Sequence, residues 1–223
     1  MATHHRSGHA PRRRAPAGSD RSARQHIVAL AARIMVEEGV RDYQLAKRKA
    51  IQRLDLPSDK NLPGNDEIEA ALTDYLRLFH GARLETDLRR LRRLALDAMQ
   101  FLERFDPRLV GAILSGTVVA DTPVQLHVTA DTPETVRLWL LEHGIPFEQG
   151  ERHMRFSGER QGSVPQFRFT ADGVTVELYV FAIEDAREAP LSPVDGKPMK
   201  RANRRDVEQL LAAPALLAPG TGR

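Results

Sequence analysis

The chain has 223 residues, of which 41% are hydrophobic and 28% are charged, a composition typical of a soluble globular protein. It contains no cysteine, which excludes disulfides, thiolate metal sites and a cysteine nucleophile and agrees with the cytoplasmic location that we expect. No run of about 18 apolar residues occurs, so the sequence predicts no membrane-spanning helix.

The basic charge is concentrated at the N-terminus. Residues 1–24 contain six arginines and one acid and therefore carry a net charge of +5, whereas the whole chain carries +3, which leaves about −2 for residues 25–223. This segment lacks apolar periodicity, so we expect residues 1–24 to form a disordered basic tail. Its arginines Arg12, Arg13 and Arg14 offer a weak contact for nucleic acid or another polyanion.

Apolar residues at helical spacing predict a helical module over residues 25–82. We expect its helices around residues 25–38, around residues 42–54 and from Asn65 to about Phe79. The second of these helices also carries four basic side chains, which give a second possible nucleic-acid contact: Lys47, Arg48, Lys49 and Arg53.

A long linking helix is predicted over residues 83–106. Its apolar residues are spaced alternately by four and three positions, and they form a stripe on one side of the helix. We expect this stripe to pack against other helices of the same chain, with a coiled-coil partner as the alternative. The members of the stripe are Leu84, Leu88, Leu91, Ala95, Ala98, Leu102 and Phe105.

The pattern then changes to a period of two, which predicts strands. One helix around residues 131–144 interrupts them, Asp172 and Gly173 form a tight hairpin, and Asn203 caps a short last helix. The sequence therefore predicts an α+β protein with a mixed-sheet domain over residues 107–213 and a flexible C-terminus over residues 214–223. The predicted strands are Leu109–Thr117, Val124–Thr129, Pro146–Phe156, Gln166–Thr170 and Val174–Ile183.

The segment SGTVVADTPVQLHV and the later strand VTVELYVF resemble the nucleotidyltransferase fold, the polymerase-beta-like palm, over roughly residues 105–185. In that family a Gly-Ser pair after the first strand receives nucleotide phosphates. An Asp-x-Asp pair on the next strand and a carboxylate on a later strand hold two magnesium ions. The whole arrangement also resembles an uncharacterised group of proteobacterial proteins, some of which are labelled nucleotidyltransferases.

The resemblance implies a role for each matching position. Gly116 and Thr117, with Ser115 before them, stand for the phosphate-binding pair, and Gln125 and His127 stand where Asp-x-Asp belongs. Glu177 corresponds to the third acid. Because glutamine is neutral and histidine suits magnesium poorly, the resemblance implies a degenerate site that holds no metal.

Three hypotheses about function follow. The first is a non-catalytic nucleotide-binding or regulatory protein, with Gln125 among the phosphate-binding residues. The second is an active nucleotidyltransferase with an altered site, in which His127 and Glu177 are the catalytic candidates and Mg²⁺ or Mn²⁺ is required. The third is a nucleic-acid-associated protein that uses the basic tail and the helix of residues 42–54.

A simpler alternative needs no function. Gln125 and His127 then form only the polar side of an amphipathic strand. In another alternative, His127 and Glu177 hydrogen-bond across adjacent strands without a function.

Overall fold

The computed structural model describes residues 17–56 and 62–213. Most of the predicted basic tail, residues 1–16, and the predicted flexible C-terminus, residues 214–223, lie outside the described residues. The described part is an α+β fold, as the sequence predicts, with helices and a five-stranded mixed sheet.

The N-terminal module contains helices α1 (Ala17–Glu37) and α2 (Tyr43–Arg53). The side chain of Asp42 caps α2 by accepting a hydrogen bond from the amide of Leu45 at 2.7 Å. Helix α1 begins eight residues before the expected start at Gln25, so the last eight residues of the predicted tail are helical. Within this added stretch the guanidinium of Arg24 binds both carboxylate oxygens of Glu67 at 3.0 and 2.5 Å, which attaches α1 to the helix that contains Glu67.

Helix α3 (Asn65–Phe101) is one continuous helix of 37 residues, about 55 Å long, where the sequence predicted two helices with a break near residue 82. The N-terminal part packs into the core of the helical module, and the part after Gly81 packs on the sheet, with Leu84 in contact with both cores. The predicted stripe is confirmed, because Leu91 and the four stripe residues after it, Ala95, Ala98, Leu102 and Phe105, are buried against their own chain.

The sheet has the strand order β1 (Arg108–Val110), β2 (Val124–Thr129), β5 (Val174–Phe181), β4 (Gln161–Ala171) and β3 (Glu148–Arg155). Strands β2 and β5 are parallel, and all other neighbours are antiparallel. Asp172 and Gly173, with φ of 48° and 71°, form the predicted hairpin turn, since both residues adopt the left-handed conformation that a type I′ turn requires.

The first strand is much shorter than predicted. Strand β1 ends at Val110, and a short helix α4 (Ala112–Ser115) occupies most of the remainder of the predicted strand. Gly111 separates the two with φ of 73° and ψ of −153°, a conformation that is essentially restricted to glycine. The glycine that follows the first strand is therefore Gly111, and not Gly116.

Two helices complete the domain, α5 (Pro133–Glu142) and α6 (Arg204–Ala212). As predicted, Asn203 caps α6, and its side-chain oxygen accepts a hydrogen bond from the backbone amide of Asp206 at 2.9 Å. Helices α3, α5 and α6 contribute to the core on one face of the sheet, where Val124, Leu126 and Val128 of β2 are buried. The opposite face carries the polar side chains of β2 and β5.

Candidate functional site

Strands β2 and β5 bring the three carried-over positions onto one face of the sheet. In the parallel register Gln125 lies beside Glu177, and His127 lies beside Tyr179. Residues directly opposite each other share a face, so Gln125, His127 and Glu177 lie on the same side, as the alternation along each strand predicts. Tyr179 lies on the same face, as its position two residues after Glu177 on the strand predicts.

A closed hydrogen-bond network connects these side chains. The amide nitrogen of Gln125 donates to Glu177 Oε2 at 2.9 Å and to the Tyr179 hydroxyl oxygen at 3.2 Å. The Tyr179 hydroxyl donates to the same Glu177 oxygen at 2.7 Å, and Gln166 reaches Tyr179 from β4 at 3.4 Å. Burial, reinforced by the charge of Glu177, raises the pKa of Tyr179 above its ordinary value, so the hydroxyl stays a donor at neutral pH.

His127 lies next to this network without joining it. Its side chain is 3% exposed, and its ring centroid lies 5.9 Å from that of Tyr179 and 4.7 Å from that of Phe181. Neither ring nitrogen has a hydrogen-bond partner among the described residues, so the alternative of a His127–Glu177 hydrogen bond is wrong. Burial, with a smaller contribution from the charge of Arg201, lowers the pKa of His127 to about 3, and the ring is neutral at pH 7.

The proposed phosphate-binding stretch contacts helix α3. Gly116, with φ of 87°, ends α4, and the Thr117 hydroxyl donates to Glu69 Oε1 at 2.9 Å. The hydroxyl oxygen of Ser115 lies 2.8 Å from the hydroxyl oxygen of Thr117 and donates to the same Glu69 oxygen at 3.4 Å. A carboxylate at these hydroxyls opposes a phosphate there. The structure therefore places Ser115, Gly116 and Thr117 beside Glu69 of α3 and not beside Gln125. The stretch attaches the sheet domain to the helical module.

Gly111 is the glycine that the structure places beside Gln125. A Cβ atom at this position would lie 2.2 Å from Gln125 Oε1, so only glycine allows the Gln125 amide to lie where it does. Sequence reasoning missed Gly111 because the apolar run around it reads as an unbroken strand.

The site offers little to a metal ion. Within residues 17–56 and 62–213, no group of three or more histidines and acids is arranged to hold a cation. Two cavities, of about 500 and 390 Å³, lie respectively along the C-terminal half of α3 and between α1 and α3. Neither is lined by Gln125, His127 or Glu177.

The basic side chains of α2 are mostly engaged within the protein. Lys49 and Arg53 both pair with Glu38, at 2.7 and 2.6 Å. Lys47 is 6% exposed, and burial lowers its pKa. Arg48 remains exposed, whereas Arg12, Arg13 and Arg14 lie outside the described residues.

Two comparisons with known proteins were negative for this chain. No protein-family model matches it, and a search of curated proteins found no significant match. Among the described helices, none combines the length and the apolarity that crossing a membrane requires.

Proposed function

We propose that residues 107–213 form a nucleotidyltransferase-like domain that has lost its metal site and acts as a non-catalytic nucleotide-binding or regulatory unit of a cytoplasmic protein. The observation that supports this proposal is the 2.9 Å hydrogen bond from Gln125 Nε2 to Glu177 Oε2. The amide group of Gln125 thus occupies the carboxylate oxygen of Glu177 that a metal ion between the two strands would need as a ligand.

The charge of the site supports the loss of catalysis. Two-metal phosphoryl transfer uses several carboxylates to neutralise the two cations. Here Glu177 is the one carboxylate of the three aligned positions, and its Oε2 already accepts hydrogen bonds from Gln125 and Tyr179. Mg²⁺ demands oxygen ligands in near-octahedral geometry, and the neutral, buried His127 ring supplies none.

Exposed arginines beside the network support binding of an anionic ligand. Arg168 on β4 lies directly across from Glu177, so both side chains are on the polar face. Arg168 is exposed and forms a long, exposed ion pair with Glu148 of β3 at 3.8 Å, which an anionic ligand would have to displace. Arg152 on β3 is also exposed, and its charge acts on Tyr179. Guanidinium groups bind phosphates through paired hydrogen bonds, so we assign Arg168 and Arg152 to the phosphates of a nucleotide on this face.

Isothermal titration of the full chain with ATP, GTP, CTP and UTP, with and without Mg²⁺ or Mn²⁺, tests this proposal. We expect nucleotide binding whose affinity does not depend on the metal and which falls in Arg168→Gln. Arg137→Gln, which removes an arginine from α5, serves as the matched control. We also expect no nucleotide transfer by the wild type.

Two results would overturn the proposal. Metal-dependent transfer that Glu177→Ala abolishes would favour an active nucleotidyltransferase with an altered site. A failure of all four nucleotides to bind would leave Gln125 and His127 as the polar side of an ordinary strand.

A further inference from the structure

The arginine-rich segment of α3 is not used by the polar face of the sheet. Four of the five residues 89–93 are arginines, and two of them are engaged within the protein. Arg89 pairs with Glu85 at 3.1 Å, and Arg92 donates to the carbonyl of Ile113 at 3.4 Å. Arg90 and Arg93 are exposed and form no ion pair within the described part of the chain.

These two arginines face a cavity. This cavity is open to solvent and lies between α3 and the turn of the β4–β5 hairpin. Its volume of about 500 Å³ is in the range of small-molecule sites. Helix α3 packs on the apolar face of the sheet, so this cavity and the polar face around Glu177 lie on different sides of the domain. Its polar lining comprises Thr86, Arg89, Arg90, Arg93, Asp97 and Asp172.

The electrostatics of the cavity favour one compact anion with hydroxyl groups next to it. Three guanidinium groups face two carboxylates, and a planar guanidinium matches the oxygens of a phosphate. Asp97 on the helix and Asp172 on the hairpin turn accept hydrogen bonds from hydroxyl groups. The same two carboxylates repel the successive phosphates of a nucleic-acid strand.

We propose that this cavity binds a small phosphate monoester that carries free hydroxyl groups, such as a sugar phosphate. Arg90 and Arg93 bind the phosphate, and Asp97 and Asp172 accept hydrogen bonds from the hydroxyl groups. Arg89 contributes positive charge while it stays paired with Glu85.

Titration calorimetry on the full chain at low salt tests the site with four probes: ribose 5-phosphate, inorganic phosphate, ribose and a short single-stranded oligonucleotide. We expect ribose 5-phosphate to bind more tightly than inorganic phosphate, because it uses both parts of the cavity. Ribose alone should not bind measurably, and the oligonucleotide should bind more weakly than ribose 5-phosphate. A ranking with the oligonucleotide first, or no binding of ribose 5-phosphate, would overturn the proposal.

Variants separate the cavity from general charge effects. Arg90→Gln with Arg93→Gln should reduce the affinity for ribose 5-phosphate at least tenfold. Arg77→Gln with Arg83→Gln removes the same charge from the same helix outside the cavity and should leave the affinity within about twofold of wild type. An equal loss in both double variants would show that net charge alone attracts the ligand, against the proposal.

Two further comparisons test the roles of the residues. Asp97→Asn with Asp172→Asn should lower the preference for ribose 5-phosphate over inorganic phosphate, and an unchanged preference would contradict the hydroxyl contacts. Arg168→Gln should leave ribose 5-phosphate binding unchanged. If Arg168→Gln weakens it instead, the ligand binds on the polar face of the sheet and the cavity is not the site. Because all of these side chains are exposed, equal melting temperatures will show that the variants are folded.

Discussion

The two faces of the sheet differ in how their side chains are satisfied. On the face covered by α3, Val124, Leu126 and Val128 of β2 are fully buried among apolar neighbours. On the other face, Gln125 is held by hydrogen bonds to β5, while the neighbouring His127 is buried without a partner within the described residues. The first face stabilises the fold through apolar area. The second face has a small apolar cluster of its own, Phe156, Val164, Tyr179 and Phe181, but it also buries His127 without a partner, which costs stability. Such a cost is typical of functional positions.

The largest expected effect concerns the apolar face. Leu91 of α3 is buried in its core, so Leu91→Asp places a charge without a partner there and should lower the free energy of unfolding by about 3–5 kcal/mol. The matched control is Leu78→Asp on the same helix, where the side chain is 77% exposed and the change should stay within about 0.5 kcal/mol. Urea unfolding measures both, and similar losses would contradict the packing of α3 on the sheet.

The second expected effect concerns the polar face: the stability of the protein should fall as the pH falls, because of His127. The pKa of His127 is lowered to about 3 in the folded protein, against about 6.5 in an unfolded chain. Between these values the unfolded chain binds the extra proton, so stability falls as the pH drops through this window. From pH 7 to pH 5 the contribution of His127 to stability should fall by about 2 kcal/mol.

Replacing His127 tests this assignment. His127→Phe keeps an aromatic ring next to Tyr179 and Phe181 and removes the titrating group. Urea unfolding at pH 7 and pH 5 should therefore show that this variant lacks the loss of about 2 kcal/mol that His127 causes in the wild type. His153, an exposed residue of β3, provides the control His153→Gln, which should keep it. A wild type whose stability is the same at pH 5 and pH 7 would show that His127 is accessible to water.

A smaller effect is expected where the polar face is changed back towards a metal site. Gln125→Asp replaces the amide donor beside Glu177 with a second carboxylate, which should lower stability by about 1–2 kcal/mol in the absence of divalent cations. Mn²⁺ should restore this loss by binding between the two carboxylates, and Glu177→Ala should abolish the restoration. His127 is left unchanged, because an aspartate there would be buried. No Mn²⁺ dependence of the melting temperature would contradict a lost metal site.

The smallest effect is expected from the N-terminal segment. Deleting residues 1–16 should leave the melting temperature within about 1 °C, because the sequence there has no apolar periodicity. Deleting residues 1–24 also removes the first turns of α1 and the Arg24–Glu67 ion pair and should lower the free energy of unfolding by about 1 kcal/mol. Equal melting temperatures for the two deletions would show that the start of α1 contributes nothing.

The deletion of residues 1–16 also tests the hypothesis of a nucleic-acid contact. If Arg12, Arg13 and Arg14 bind DNA or RNA, removal of residues 1–16 should abolish a mobility shift that weakens steeply with salt. A shift that survives this deletion would point to Arg48 or to the arginines of α3.

Local patterns predicted much of the sheet. The alternation of apolar and polar residues predicted the bounds of β2 and placed the end of β5 within two residues of the observed end. The Asp172-Gly173 pair predicted the hairpin turn, and Asn203 predicted the start of α6. These signals succeed because each depends on neighbouring residues alone. The two-residue spacing of Gln125 and His127 puts them on one face, and the parallel pairing of β2 with β5 adds Glu177 to that face.

The errors arise where distant parts of the chain decide the structure. Leu109, Val110 and Ile113 are all buried, so the apolar run around Gly111 gave no sign of where the strand ended. The continuity of α3 follows from two cores that contact opposite ends of one helix. His127 is buried against its aromatic neighbours Tyr179 and Phe181, and the charge of Arg201 helps to lower its pKa. No local pattern indicates that a polar strand residue will be covered.

The parallel pairing of β2 with β5 also bears on how the chain folds. The hydrogen bond between Gln125 and Glu177 joins residues 52 positions apart, whereas β3, β4 and β5 follow one another as antiparallel neighbours joined by short turns. Closing a long loop costs more chain entropy than closing a short one and slows folding. The β3–β4–β5 meander should therefore form early, and β2 should then dock along its free edge. The polar face would be assembled in that last step, after synthesis has passed residue 181.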